Sequence, residues 1–186
     1  MKRHRIGIAL SALMLTALTT LSATVTSASA ATTPYCGITW GSQEKVLLLS
    51  TPAQLTNLRT GRHDCYDRLV LDINGTPAPG YHVRYVDAYQ PFGWGPTVPV
   101  AGGAILAVMT YAPASVPWAP LTHVVTPNQF SASGYLTFRD LVYGGTVERN
   151  TEFALGVRAR LPFRVFSLSG PGTGTRLVID VAHRWS

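Results

Sequence analysis

The chain has few of the residue types on which most enzymes and nucleic-acid binders depend. Of its 186 residues, nine are acidic, five are histidine and two are cysteine. The acids are isolated, so the paired carboxylates of a glycosidase are not indicated. His63, His82, His123 and His183 have no His-x-x-His or His-x-Glu spacing. Asp64, Asp67 and Asp72 lack the glycine-centred spacing of a calcium loop, so no metal site is expected. Ser50, Ser131 and Ser133 stand in no nucleophile-elbow context. Gly170-Pro171-Gly172-Thr173-Gly174 looks like a phosphate cradle, but it has neither the Lys-Ser/Thr pair nor the following helix. It reads as a hairpin loop. No catalytic residue and no cofactor is implied. The formal net charge is +6, yet three of the fifteen basic residues fall within the first five positions. The others form no run interleaved with stacking aromatics, so nucleic acid is not an expected partner.

The N-terminus has the features of an export signal. Lys2, Arg3 and Arg5 precede an uncharged apolar run, Ile6 to Leu18, and Ala28-Ser29-Ala30 supplies the small residues of a cleavage site before Ala31. The run of about 13 residues is short of the roughly 20 that cross a bilayer as a helix. We expect a signal peptide over 1–30, cleavage near Ala30-Ala31, secretion to the cell envelope, and no membrane span after cleavage. In that compartment two cysteines pair, here Cys36 with Cys65. Closing a loop of about 29 residues stabilises a fold by roughly 3–4 kcal/mol in the chain-entropy picture. The bond ties an N-terminal arm (31–60) to a single domain over 61–186.

Thirteen prolines and seventeen glycines punctuate the chain, and no segment after the leader carries a long helical stripe. The expected fold is all-β: a two-sheet antiparallel β-sandwich of about 8–10 short strands with at most one short helix. That helix is placed at Pro52 to Leu58, with Thr51 as its cap. Strands are expected at Tyr66–Ile73, Tyr81–Val86, Val98–Val100, Ile105–Thr110, Tyr135–Val142, Glu152–Val157, Phe163–Leu168 and Arg176–Val181. Gly144-Gly145 reads as a turn, and Ala112 to Pro120 as a surface connection because its three prolines remove too many amide donors.

One six-residue phrase occurs twice. Arg68-Leu69-Val70-Leu71-Asp72-Ile73 returns as Arg176-Leu177-Val178-Ile179-Asp180-Val181, 108 residues later. Both alternate an aliphatic face with a face bounded by Arg and Asp, the pattern of half-buried strands. Arg68/Asp72 and Arg176/Asp180 are each about 13 Å apart along a strand, too far to pair within it. If the two strands lie antiparallel and adjacent, each Arg faces the other strand's Asp, a structural role.

Several motifs together carry a family likeness. His63-Asp64-x-Tyr66-Asp67-Arg68-Leu69-Val70 is followed by Pro79-Gly80-Tyr81-x-Val83-x-Tyr85-Val86. Further on come Phe163-Arg164-Val165-Phe166-x-Leu168 and Arg176-Leu177-Val178-Ile179-Asp180. Over roughly residues 61–184 the series resembles the secreted actinobacterial AMIN-like domain, and the arm Cys36-Gly37-Ile38-x-Trp40-Gly41-Ser42 is similar to the element preceding it. The resemblance implies a two-sheet sandwich related to the AMIN domain of cell-wall amidases and secretins, where that domain tethers proteins to peptidoglycan. It transfers no ligand residues.

The expected function is therefore a secreted, non-catalytic envelope-binding module with peptidoglycan as its ligand. The other reading is a protein-interaction or inhibitor module that binds an envelope enzyme. Candidate ligand contacts are Arg84, Arg139, Arg158 and Arg160, whose forks suit carboxylates. Trp94 and Trp118, in Gly/Pro-rich loops, join them. Such rings either stack on sugars and partner pockets or fold back to cap the sandwich. Arg158 and Arg160 are read as sharing a strand face with Ala154 and Gly156, where small residues leave room.

Overall fold

The alternating aliphatic sets fold as their period predicts. The computed structural model describes residues 34–116, 120, 122–123 and 131–185; the expected leader over 1–30, the cleavage point expected after it and Trp118 lie outside the described residues. Ten strands are present among the described residues: β1 (Lys45–Leu47), β2 (Leu55–Arg62), β3 (Tyr66–Ile73), β4 (Tyr81–Val86), β5 (Ala104–Thr110), β6 (Thr122–His123), β7 (Phe138–Val147), β8 (Asn150–Val157), β9 (Phe163–Ser169) and β10 (Thr175–Ala182). The only helical pieces described are 3-10 turns, at Tyr35–Gly37, Pro91–Gly93 and Ala132–Gly134. No helix among the described residues is long and apolar enough to cross a membrane.

Two sheets form, one ordered β1-β4-β5-β8-β7-β6 and the other β2-β3-β10-β9, with every strand pair antiparallel. Leu69, Leu71 and Ile73 of β3 and Leu177, Ile179 and Val181 of β10 point into the space between them. They meet Val83, Leu106, Val108, Phe153, Leu155 and Val157 from the larger sheet. Full burial of each aliphatic side chain contributes about 1.5–3 kcal/mol, so this layer is the main source of stability. The twin strands are adjacent and antiparallel, with Arg176 opposite Asp72 and Asp180 opposite Arg68.

The expected helix at Pro52–Leu58 is a strand. A β-bulge between Leu55 and Asn57 shifts the register of β2, so Leu55 and Leu58 both face the core. Two leucines three apart on one face imitate a helical period, which misleads a pattern reading. Thr51 caps no helix; its hydroxyl accepts from Ala53 N at 3.2 Å in a local turn. The segment expected as an arm thus contributes β1 and the start of β2 to the sheets.

Gly144-Gly145 is not a turn either. β7 continues to Val147, and the reversal into β8 is the two-residue hairpin Glu148-Arg149, with φ of 47° and 68°. That is the positive-φ pair of a type I′ turn, built without glycine. Val98–Val100 is not a strand; Val98 makes an isolated bridge to Tyr89. Within the expected surface connection, Ala112 is fully buried, and Pro113 O and Ser115 N bond to Leu55 along the free side of β2.

Cys36 and Cys65 are bonded, with 6.4 Å between their Cα atoms, which brings the 3-10 turn at Tyr35–Gly37 to the residue preceding β3. Next to that bond, Asp67 and His183 form a buried pair, His183 Nε2 lying 3.0 Å from Asp67 Oδ1. The other Asp67 oxygen accepts from Thr137 N and Phe138 N, and His183 Nδ1 lies against Asp64 O. All their polar atoms are engaged in fastening β3, β7 and the end of β10, so this pair is a structural clasp.

Candidate functional site

The outer face of the six-stranded sheet is covered by the protein's own chain. Between β4 and β5, residues 87–103 turn back across β8 and β7. Tyr89, Val98, Val142 and Ala154 form a second small core there, with Val100 and Ile105 packed against it. Two buried acids hold the segment down. Asp140 Oδ2 accepts from Ala101 N at 2.9 Å, and the Glu152 carboxylate accepts from Phe92 N. Close approach also requires glycine at two strand positions. A Cβ on Gly144 would lie 2.0 Å from the Tyr89 hydroxyl, and one on Gly156 would lie 2.0 Å from Ala101 O. The room beside Ala154 and Gly156 is real, but residues 89–101 fill it, so it is not available to a ligand.

Where this covering segment leaves β4, a cavity of about 490 Å³ opens, lined among others by Arg84, Asp87, Tyr89, Gly93, Glu152 and Arg160. Arg84 comes from the outer face of β4. Arg160 lies three residues beyond the end of β8 and is held by Tyr85, which places its ring under the guanidinium at 4.8 Å from the centroid. The Tyr85 hydroxyl donates to Leu161 O at 2.6 Å and accepts from Leu161 N at 3.0 Å, pinning the segment after β8 against β4. Burial pushes the Tyr85 phenol up to about 12, against smaller opposing pulls from the Leu161 bond and Arg160, so it stays neutral at physiological pH and the clamp stays intact.

Glu152, 3% exposed, forms part of the cavity floor. Burial pushes its carboxyl above the usual glutamate range, opposed by the Phe92 amide, Arg84 and His82. Burial, reinforced by the Glu152 charge, likewise raises the Tyr89 phenol; its hydroxyl is buried with no hydrogen-bond partner among the described residues. Two guanidiniums and two carboxyls therefore face one polar hollow. Its mixed signs suit a ligand that carries carboxylates among other polar groups.

Trp94 follows the 3-10 turn that Glu152 fastens. It is 72% exposed and lies 6.4 Å, centroid to centroid, from Phe92. Of the residues named from sequence, Arg84 and Arg160 come together in one cavity, and Trp94 stands on the loop whose Gly93 lines it. Arg139 and Arg158 are elsewhere. Arg139 caps the carbonyls of Tyr135, Leu136 and Phe138, and Arg158 donates to His183 O at 2.6 Å. β8 ends at Val157, so Arg158 and Arg160 do not share a strand face with Ala154 and Gly156.

Sequence reasoning missed Glu152 and Tyr85. The available signal was slight: Glu152 is a lone acid in the otherwise uncharged run from Thr151 to Val157.

No curated protein matches the chain, and no solved structure does. A family model, the AMIN-like domain, matches residues 53–183, from just ahead of β2 to just beyond β10 and well over half of the sequence. The chain belongs to the AMIN-like domain family.

Proposed function

We infer that this protein is a secreted, non-catalytic module that binds the bacterial cell envelope, with peptidoglycan as its ligand. Family membership supports the class of function. The observation that carries the site is the convergence of Arg84 and Arg160 in one polar cavity beneath a loop that displays Trp94. Guanidinium forks recognise stem-peptide carboxylates, and an exposed indole stacks on glycan rings. The Cys36–Cys65 bond favours an oxidising compartment and so supports export after cleavage near Ala30-Ala31. Arg139 and Arg158 are withdrawn as ligand contacts in this reading because backbone carbonyls already occupy them.

The test is co-sedimentation with purified sacculi. The native protein pellets with the sacculi at low salt, the R84Q/R160Q double variant stays largely in the supernatant, and W94A is intermediate. Failure of the native protein to pellet would defeat the proposal.

One observation favours the second reading, a module that docks on an envelope enzyme. Val46, Leu47, Leu48 and Leu49 are 49%, 45%, 78% and 42% exposed, a continuous aliphatic run at the β1 edge of the larger sheet. Exposed apolar edges mark sites of pairing with another chain. That reading predicts co-purification with one protein, lost in L47K/L48K, together with indifference to sacculi.

A further inference from the structure

The outer face of the four-stranded sheet carries two cross-strand rows that the twin sequences should make alike. In the first, Gly61, Arg68, Asp180 and Arg164 lie side by side across β2, β3, β10 and β9; in the second, the order is Asn57, Asp72, Arg176 and Leu168. Asp180 is fully buried between two arginines. Arg68 Nε and Nη2 donate to its oxygens at 2.6 and 2.9 Å, and Arg164 Nε donates at 2.8 Å.

Arg176 holds the corresponding place in the second row, but its neighbours fail it. Asp72 is engaged by Arg59, whose Nε and Nη2 donate at 2.8 and 2.7 Å, and by Asn57 Nδ2 at 3.2 Å. On the other side β9 presents Leu168, which offers no acceptor. Among the described residues Arg176 keeps one bond, Nη2 to Ser169 O at 2.9 Å, and its Nε is buried with no acceptor. Four arginines on this face, Arg59, Arg68, Arg164 and Arg176, thus meet two carboxylates. Arg176 is the one left over.

Beside it runs a groove of about 950 Å³, bounded by Asn57, Arg59, Asp72 and the turn Gly170-Pro171-Gly172-Thr173-Gly174. The three glycines leave that wall of the groove short of side chains. Buried donors in native proteins find acceptors, and here the described residues bring none. We propose that this groove is a carboxylate-binding site, its ligand a small organic mono-carboxylate, which does for Arg176 what Asp180 does for Arg68. Charge selects the class. Arg59 and Arg176 against Asp72 leave one net positive charge, which balances a mono-anion, whereas a phosphate dianion would sit against Asp72 uncompensated. Because Nε is enclosed, the guanidinium turns toward the groove on binding, and its single bond to Ser169 is the contact it gives up. The inference is independent of what occupies the Arg84 cavity on the other sheet.

The test follows the arginine Nε–H resonances of the native protein by NMR. Acetyl-Ala-Ala with a free carboxylate, the same peptide as its C-terminal amide, and inorganic phosphate are titrated in turn. The carboxylate peptide shifts the Arg176 Nε–H resonance saturably; the amide binds at least roughly tenfold more weakly, as loss of a charged fork requires, and phosphate is weaker than the carboxylate. R176Q abolishes the response, and R176K retains part of it. Equal responses to carboxylate and amide, no response at the groove, or a stronger response to phosphate would each overturn the assignment. Should R176Q fail to fold, the carboxylate–amide difference on the native protein decides alone.

Discussion

The two ends of the twin strands are built from the same residues and reach opposite outcomes. At one end Asp180 is fully buried and clasped by Arg68 and Arg164. At the other, Asp72 pairs with Arg59 at the surface, with side chains 21% and 51% exposed, and Arg176 is left without a carboxylate. The hexapeptides do not create this difference. The flanking strands do: β9 offers Arg164 in one row and Leu168 in the other, and β2 offers Gly61 in one row and Asn57 in the other. A repeated sequence thus sets a repeated backbone, and the neighbours on either side decide which copy is closed by charge and which is left open.

Removing the carboxylate at each end tests the contrast most severely. Asp180→Asn leaves two guanidiniums crowded on the face without an anion. Loss of one partner from a buried pair costs about 3–5 kcal/mol, a fall in Tm on the order of 10 °C for a chain of this size. Asp72→Asn breaks an exposed pair that solvent screens, so its cost stays below about 1 kcal/mol. Thermal denaturation of the two variants side by side checks both. Equal losses would mean that the two ends are energetically alike. Arg176→Met removes a buried donor that has no acceptor, so its stability is unchanged or slightly raised, within about 1 kcal/mol, by urea unfolding. Substantial destabilisation there would show that Arg176 is already well paired in the free protein.

Glu152 extends the comparison to the other sheet, where a buried acid receives an amide bond in place of the two guanidiniums that Asp180 has. Its folded carboxyl holds a proton more tightly than the unfolded chain does. Its contribution to stability is therefore fully present below about 4.5, the ordinary glutamate value, and is lost as pH rises through the folded value. Glu152→Gln removes that loss. Its Tm matches the native protein's in acid and rises above it as pH increases. A difference constant with pH would contradict the assignment.

Much of the fold was legible because period-two alternation over eight residues has few other meanings. β3, β4, β8 and β10 follow it, and the antiparallel register of β3 with β10 could be anticipated from the mirrored Arg and Asp. β2 was not legible, since its bulge turns strand spacing into helical spacing. Nor was the Glu148-Arg149 reversal, which adopts positive φ without the glycine or asparagine that usually marks it. The site was harder to read. Arg84 and Arg160 are 76 residues apart in sequence, and sheet pairing together with the Tyr85–Leu161 clamp brings them together. The fate of Arg176 depends on residues from β2 and β9 that its own hexapeptide does not mention.

Co-sedimentation of the purified protein with sacculi across a salt series tests the central claim most directly. Binding through Arg84 and Arg160 predicts a pelleted fraction that is highest at low salt, declines as salt screens the carboxylates, and is sharply reduced by R84Q/R160Q at every salt concentration. A native protein that remains in the supernatant at the lowest salt, or a double variant that pellets equally well, would contradict it.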